Sequence, residues 1–304
     1  MSAIARAGTC AIVGAANVGK STFLNAVVGQ KVAIASPVPQ TTRRRILGLV
    51  RRGDTEIALL DTPGLHRHRG RLNQRLMRVA RATLSGADAV ILMVDASRRG
   101  GWLDPETDRI LRPIAASARP CLLVLNKIDL IAKPRLLPML AAAGQRHAFA
   151  ALVPISARQR DGVDRVLDAV AELMPAGGSL YGPDAFTDQS ERDLCAELIR
   201  EQVLRRTRQE IPHSAAVTIE RFDESRRTGD RPLVEIEATI WVEREGQKAI
   251  AIGAGGNLVK AIGSSARTEI ERLLESRVML RLEVEVASGW TDDPAALDRL
   301  GLKP

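Results

Sequence analysis

The sequence predicts an α/β domain with a mainly parallel sheet, followed by a smaller α+β domain. Three observations lead there. Up to about residue 178, short runs apolar at every position alternate with longer stretches at helical spacing, the pattern of strands buried on both faces. At LMPAGGSLYGPDAFTD that periodicity stops among Pro, Gly and Ser, which places a linker over 179–190 between a first domain, 1–178, and a second, 191–304. Beyond it the order becomes helix, two alternating strands, two helices and a strand. A chain of 304 residues with 45% apolar content suffices for two cores.

TCAIVG (9–14) is the first strand, and GAANVGKS (14–21) follows it at the start of a helix. That context makes the match to GxxxxGK[ST] specific. The backbone N–H groups of Gly14, Ala15, Ala16, Asn17, Val18 and Gly19, with the helix dipole, can wrap phosphates. Lys20 can reach the β and γ oxygens, Ser21 can ligate Mg²⁺, and the contacts are expected to run on to Thr22. The plain alternative is a glycine turn with a chance Lys-Ser.

EIALLD (56–61) is the next strand, closed by Asp61 and followed by DTPG (61–64). A carboxylate there can hold Mg²⁺ through water, and the Gly64 N–H can meet a γ-phosphate, with Thr62, Pro63 and Leu65 in the same loop. AVILMVD (89–95) and PCLLVLN (120–126) are further buried strands, and NKID closes the latter. The Asp129 carboxylate can accept two hydrogen bonds from guanine while Lys127 packs over the ring between Asn126 and Ile128. Adenine offers neither donor, so guanine is the expected base. After the strand ALVPIS (151–156), Ser156 and Ala157 would offer backbone N–H groups to the guanine carbonyl.

This ordered set resembles the translation-factor class of small GTPases. The resemblance implies that Thr42 in PQTTRRR meets Mg²⁺ and the γ-phosphate, with Thr41 the second choice, and that Lys20, Thr42 and Gly64 serve hydrolysis. Leu65 stands where some GTPases place a water-orienting Gln, so intrinsic turnover is expected to be slow and accelerated by a partner, another residue or a cation. Asn17 matches an asparagine that ligates K⁺ in related GTPases, and K⁺ stimulation is a further expectation. His66 and His68 flank the loop, one of them a candidate for catalysis or both solvated residues of an Arg-rich loop.

In the second domain SERDLCAELIREQVLRRT is an amphipathic helix with an acidic first turn and a basic end. HSAAVTIERF (213–222) and LVEIEATIWV (233–242) alternate as strands, then come a helix near 246–252, a glycine loop, a helix to about 275 and the strand VMLRLEVEVA. GAGG (253–256) between two helices fits the GxxG loop of a type II KH domain. Glycine clearance and the N–H groups of the next helix there hold about four nucleotides. It is no second NTP site, because no GK[ST] follows and Leu258 breaks GxGxxG.

An α/β P-loop GTPase domain with a mainly parallel sheet, followed by an α+β type II KH domain, resembles the Era family of bacterial ribosome-assembly GTPases. QTTRRRI, DTPGLH, VPISA, VTIERF, VEREGQK and SGWTDD add to the likeness, which covers nearly the whole chain. It implies GTP-dependent binding near the 3′ end of small-subunit ribosomal RNA and assistance to processing and assembly of the small ribosomal subunit. It further implies a cytoplasmic monomer in partial association with the inner membrane. RNA contacts are expected at Gly253, Ala254, Gly255 and Gly256, with Lys248 and Lys260 nearby. Family loops usually carry lysine within or just after GxxG, where this chain has Ala254, Gly255, Asn257 and Leu258. Each lost single-strand phosphate contact lowers the salt slope by roughly 0.7.

Charge sharpens that departure. Residues 1–178 hold 26 Lys/Arg against 13 Asp/Glu, while 179–304 hold 18 against 23. An RNA site in the second domain must therefore use local arrangement, with RRR (43–45) and the arginines of 67–81 as candidate helpers or a solvated face. Cys10, Cys121 and Cys195 form no CxxC and read as reduced thiols, and no apolar run reaches membrane-span or signal-peptide length. Two other functions fit less of the sequence: a GTPase of transfer-RNA modification or large-subunit assembly, and an RNA-binding factor that holds GTP only as a structural ligand.

Overall fold

The computed structural model describes residues 4–36, 41–63, 71–98, 103–117, 119–182, 185–207 and 211–300. Six strands form the first sheet: β1 (Arg6–Val13), β2 (Ile46–Arg52), β3 (Thr55–Asp61), β4 (Ala89–Asp95), β5 (Cys121–Asn126) and β6 (Ala151–Pro154). Their order is β2-β3-β1-β4-β5-β6, parallel throughout except for β2, which runs antiparallel to β3. The strand period of two sends alternate residues to opposite cores. Cys10, Ile12, Ile57, Leu59, Ile91 and Met93 pack with Phe23 and Leu24 of α1 (Lys20–Val28) and Val166 and Val170 of α5 (Val163–Ala171). Leu92, Val94, Leu123 and Leu125 pack on the other face against Ile110, Leu111 and Ile114 of α3 (Pro105–Ala116). Each such side chain contributes about 1.5–3 kcal/mol by leaving water. Two further helices, α2 (Arg71–Gly86) and α4 (Leu136–Arg146), complete the layers.

Strand β2 has no counterpart in the sequence reading. ILGLV lies between arginines and turns into β3 at Gly53-Asp54, a hairpin signal hidden by the surrounding charge. The supposed linker then covers its free edge. Leu49 N–H donates to Phe186 O at 2.9 Å, Thr187 Oγ1 donates to Leu47 O at 2.7 Å, and the Glu56 carboxylate accepts the Leu180 N–H at 2.8 Å. An edge strand with unpaired backbone groups is thereby closed by the chain's own connection.

The second sheet has the order β7-β8-β9, from β7 (Ala216–Arg226), β8 (Leu233–Val242) and β9 (Arg277–Val286), with β8 and β9 parallel. α6 (Glu191–Arg206) opens it, capped by Ser190 Oγ accepting from Asp193 N–H at 3.1 Å, and packs on α9 (Asn257–Leu274). β7 starts at Ala216, later than expected, because Ile211–Ser214 form a helical turn, α7. α8 (Glu245–Ile252) precedes the GxxG segment, and α10 (Pro294–Arg299) ends the described chain. All three cysteines are buried free thiols, and burial pushes Cys121 and Cys195 up to about 12.

Several arginines of the 43–45 and 67–81 stretches join the first domain to the second and to the connection. Arg43 is buried, donates to Ala215 O at 2.7 Å and lies over the Trp290 ring at 5.6 Å. Arg44 pairs with Asp193 at 2.9 Å, Arg45 with Asp188 at 2.8 Å, and Arg75 of α2 with Asp298 of α10 at 2.6 Å. The excess positive charge of the first domain is thus partly spent on acidic groups of the second and of the connection.

Candidate functional site

The carboxyl ends of β1, β3, β4 and β5 share one rim, and the strand order reverses there, with β3 on one side of β1 and β4 on the other. Open α/β sheets bind ligands at such a switch point. A cavity of about 630 Å³ occupies it, lined by Ala16, Asn17, Gly19, Lys20, Ser21, Thr22, Thr41, Thr42, Lys127 and Arg158, among others. Gly19 sits at φ 104°, and a Cβ there would collide with Asn126 Nδ2, so the loop needs glycine both for conformation and for clearance. Lys20 is buried, its Nζ donating to Gly14 O at 3.1 Å and Ala15 O at 3.0 Å. Burial lowers its pKa against the opposing pull of the Asp61 charge.

Three residues from three elements converge at the mouth of β3. Asp61 Oδ2 accepts from Ser21 Oγ at 2.7 Å and from Thr42 Oγ1 at 3.1 Å, and the two hydroxyls lie 3.0 Å apart. Asp61 is fully buried, burial raises its carboxyl pKa, and its Oδ1 has no hydrogen-bond partner. An all-oxygen cluster with an orphaned carboxylate oxygen fits a hard divalent cation such as Mg²⁺. Thr62 Oγ1 donates to Ile12 O at 2.9 Å and fixes the strand end, beside Pro63. Gly64, Leu65, His66 and His68 lie outside the described residues.

On the opposite side, Asn126 Nδ2 donates to Val18 O at 2.7 Å, and Lys127 Nζ pairs with Asp95 at 2.7 Å. Asp129 follows in the short 3-10 turn Ile128–Leu130 with its carboxylate exposed. Ser156 and Ala157 require a correction: their N–H groups do not face the cavity together. Ser156 N–H donates to Asp161 O at 2.9 Å, and Ala157 N–H to Asn126 Oδ1 at 3.0 Å, because buried backbone donors need partners. Ala157 helps to build the base side by holding Asn126. Sequence reasoning missed Arg158, whose place directly after Ser-Ala on the cavity wall was the available signal.

In the second sheet the GxxG segment forms a 3-10 turn between α8 and α9, with Ala254 and Gly255 exposed. Gly253 has φ 73°, and a Cβ would stand 2.7 Å from Leu258 Cβ. The first turn of α9 has no side-chain cap. From Lys260 a groove of about 270 Å³ runs between α9 and β9, lined by Val259, Gly263, Ser264, Arg267, Leu280 and Leu282. Arg267 and the two leucines were not picked out from sequence; helical spacing of seven from Lys260 is the signal that could have found the arginine. Lys248 Nζ is paired with Glu285 at 3.1 Å.

The helix α6, packed on α9, reaches the loop that lines the cavity. Arg200 of α6 donates to Thr41 O, next to Thr42, while Arg205 donates to Ala35 O at 3.2 Å. Asp292 Oδ1 accepts from the Arg71 N–H, at the start of α2, at 2.9 Å.

Comparison with known proteins follows the same division. A family model described as "50S ribosome-binding GTPase" matches residues 9–127, and a KH domain model matches 210–291. GTPase Era of Xanthomonas axonopodis pv. citri is 45% identical over 298 residues, covering 97% of both chains. GTPase Era of Nitratidesulfovibrio vulgaris is 42% identical over 303 residues, covering 98% of this chain and 97% of that one. Among solved structures, Era in complex with MgGDPNP and nucleotides 1506–1542 of 16S ribosomal RNA superposes with a TM-score of 0.93, 35% identity, and coverage of 99% of this chain and 100% of that one. A tyrosine-to-alanine variant of Aquifex aeolicus Era bound to GDP·AlF4⁻ gives 0.92 and 35% over 98% and 100%. With that identity sustained from the phosphate loop through the KH domain, the chain belongs to the Era family of GTPases.

Proposed function

We propose that this GTPase is a slow molecular switch that binds small-subunit ribosomal RNA near its 3′ end and assists RNA processing and assembly of the small ribosomal subunit. The observation that carries this reading is the joint just described: α6, which packs on the helix α9 that follows the GxxG turn, also holds the carbonyl of Thr41, next to Thr42. A similar structure holds MgGDPNP and a 16S RNA fragment at once, which supports both ligands here. The "50S" of the family model belongs to a match that ends at residue 127, before the groove begins.

In this reading residues 1–178 bind nucleotide, 179–190 connect, and 191–304 bind RNA. Gly14 to Thr22 cradle the phosphates, Asn126 to Asp129 read guanine, Ala157 supports Asn126, and Ser156 stands beside it at the base side. Mg²⁺, when bound by Ser21, Thr42 and Asp61, supplies charge neutralisation at the phosphates. Lys20 turns from the Gly14 and Ala15 carbonyls to phosphate oxygens and stabilises the charge that builds in the transition state. The Gly64 N–H and the Thr42 backbone complete that side, and Leu65 leaves water unoriented, hence the slow rate. Asn17 is the proposed K⁺ ligand. The KH half holds RNA through Gly253 to Gly256, Lys260 and Arg267, with Lys248 available once Glu285 releases it.

The protein is proposed to act as a monomer in the cytoplasm, with peripheral association to the inner membrane. Among the described residues no helix is long and apolar enough to cross a membrane. The test is multiple-turnover GTP hydrolysis with and without small ribosomal subunits. Stimulation by those particles supports the switch; fewer than about one turnover per day, unchanged by them, would return GTP to a structural ligand.

A further inference from the structure

The phosphate loop is gripped from outside at two carbonyls. Asn126 holds Val18 O from the base side. The other grip comes from Arg98, just past β4, which no sequence motif marked. Its Nη2 donates to Ala16 O at 3.0 Å, while its Nη1 donates to Asp104 Oδ2 at 2.8 Å. Asp104 is itself the N-cap of α3, its Oδ1 accepting the Thr107 N–H at 2.7 Å. One guanidinium therefore bridges a helix cap and the phosphate loop, a task that needs two donors in a fixed fork.

We propose that Arg98 is a positioning residue for GTP hydrolysis, acting through the Ala16 carbonyl to hold the loop N–H groups and Asn17 in place. Ala16 and Asn17 both line the cavity. Preorganised donors stabilise charge that appears in the transition state more than they aid ground-state binding, where the rest of the cradle suffices. Loss of this brace should thus fall on the chemical step.

The inference rests on the proposed nucleotide site, which is checked separately: Lys20→Ala must abolish GTP and GDP binding. Single-turnover GTP hydrolysis and both nucleotide affinities are then measured for Arg98→Gln, Arg98→Lys and Asp104→Asn. Asp104→Asn keeps an N-cap oxygen for Thr107 but loosens the guanidinium, so it tests the bridge should Arg98→Gln not fold. Arg98→Gln is expected to lower the hydrolysis rate about 10-fold, the factor of one hydrogen bond with a charged partner, with GTP KM and GDP affinity within about 3-fold. Arg98→Lys and Asp104→Asn should fall between, and added guanidinium should restore part of the rate of Arg98→Gln. Equal losses of affinity and rate, or rates unchanged in Arg98→Gln and Asp104→Asn, would overturn the proposal.

Discussion

At the scale of single residues, the site depends on buried charge that is only partly satisfied within the protein. Asp61 keeps one oxygen unpartnered, which costs about 1–3 kcal/mol unless a cation takes it. Asp61→Asn should therefore cut Mg²⁺-dependent hydrolysis about 100-fold while raising thermal stability of the metal-free protein, read by single-turnover assay and calorimetry. Chelation of Mg²⁺ should reproduce the loss of turnover in the unsubstituted protein and change Asp61→Asn little. Asp129 is exposed, so Asp129→Ala should fold normally but lower GTP affinity about 100-fold, with ATP binding unchanged in a competition assay. The phosphate and base motifs were legible because their residue types and order follow from the ligand's chemistry. Arg98, Arg158 and Arg267 were not, because an isolated arginine carries no local signal of what it will face.

At the scale of elements, buried strands declared themselves through unbroken apolar runs, and β1, β3, β4 and β5 emerged within a few residues of their expected bounds. Strand β2 was hidden because Arg43–Arg45 and Arg51–Arg52 drew attention to charge, although ILGLV is apolar enough to pair. The α8–α9 pair was legible from its glycines, and the groove beyond it was not, since β9 is distant in sequence. In the proposed function, a lysine-poor GxxG loop shifts RNA contact toward backbone amides, with Lys260 and Arg267 carrying the charge. Lys260→Ala and Arg267→Ala should each reduce the slope of log affinity against log salt by roughly 0.7 for a single strand, without changing basal GTP hydrolysis. A filter-binding titration across salt concentrations checks this; an unchanged slope in both variants would remove the groove from the RNA path.

At the scale of the whole molecule, the nucleotide half and the RNA half are joined through the loop that carries Thr42. Arg43 on one side of it and Arg200 behind Thr41 tie that loop to α6, Ala215 and Trp290. No reading of local periodicity reaches such contacts, because they join residues more than 150 positions apart. Arg43→Ala should weaken this joint by about 2 kcal/mol, the worth of a hydrogen bond to a charged donor, and split a single calorimetric melting transition into two. The most direct test of the account is RNA affinity measured in both nucleotide states. Protein loaded with a non-hydrolysable GTP analogue or with GDP is titrated against the 3′-terminal segment of small-subunit ribosomal RNA and against an unrelated RNA of equal length. The account predicts tighter binding of the 3′ segment in the GTP-analogue state, lost in Lys260→Ala with Arg267→Ala. Equal affinity in both states, or equal affinity for the unrelated RNA, would contradict it.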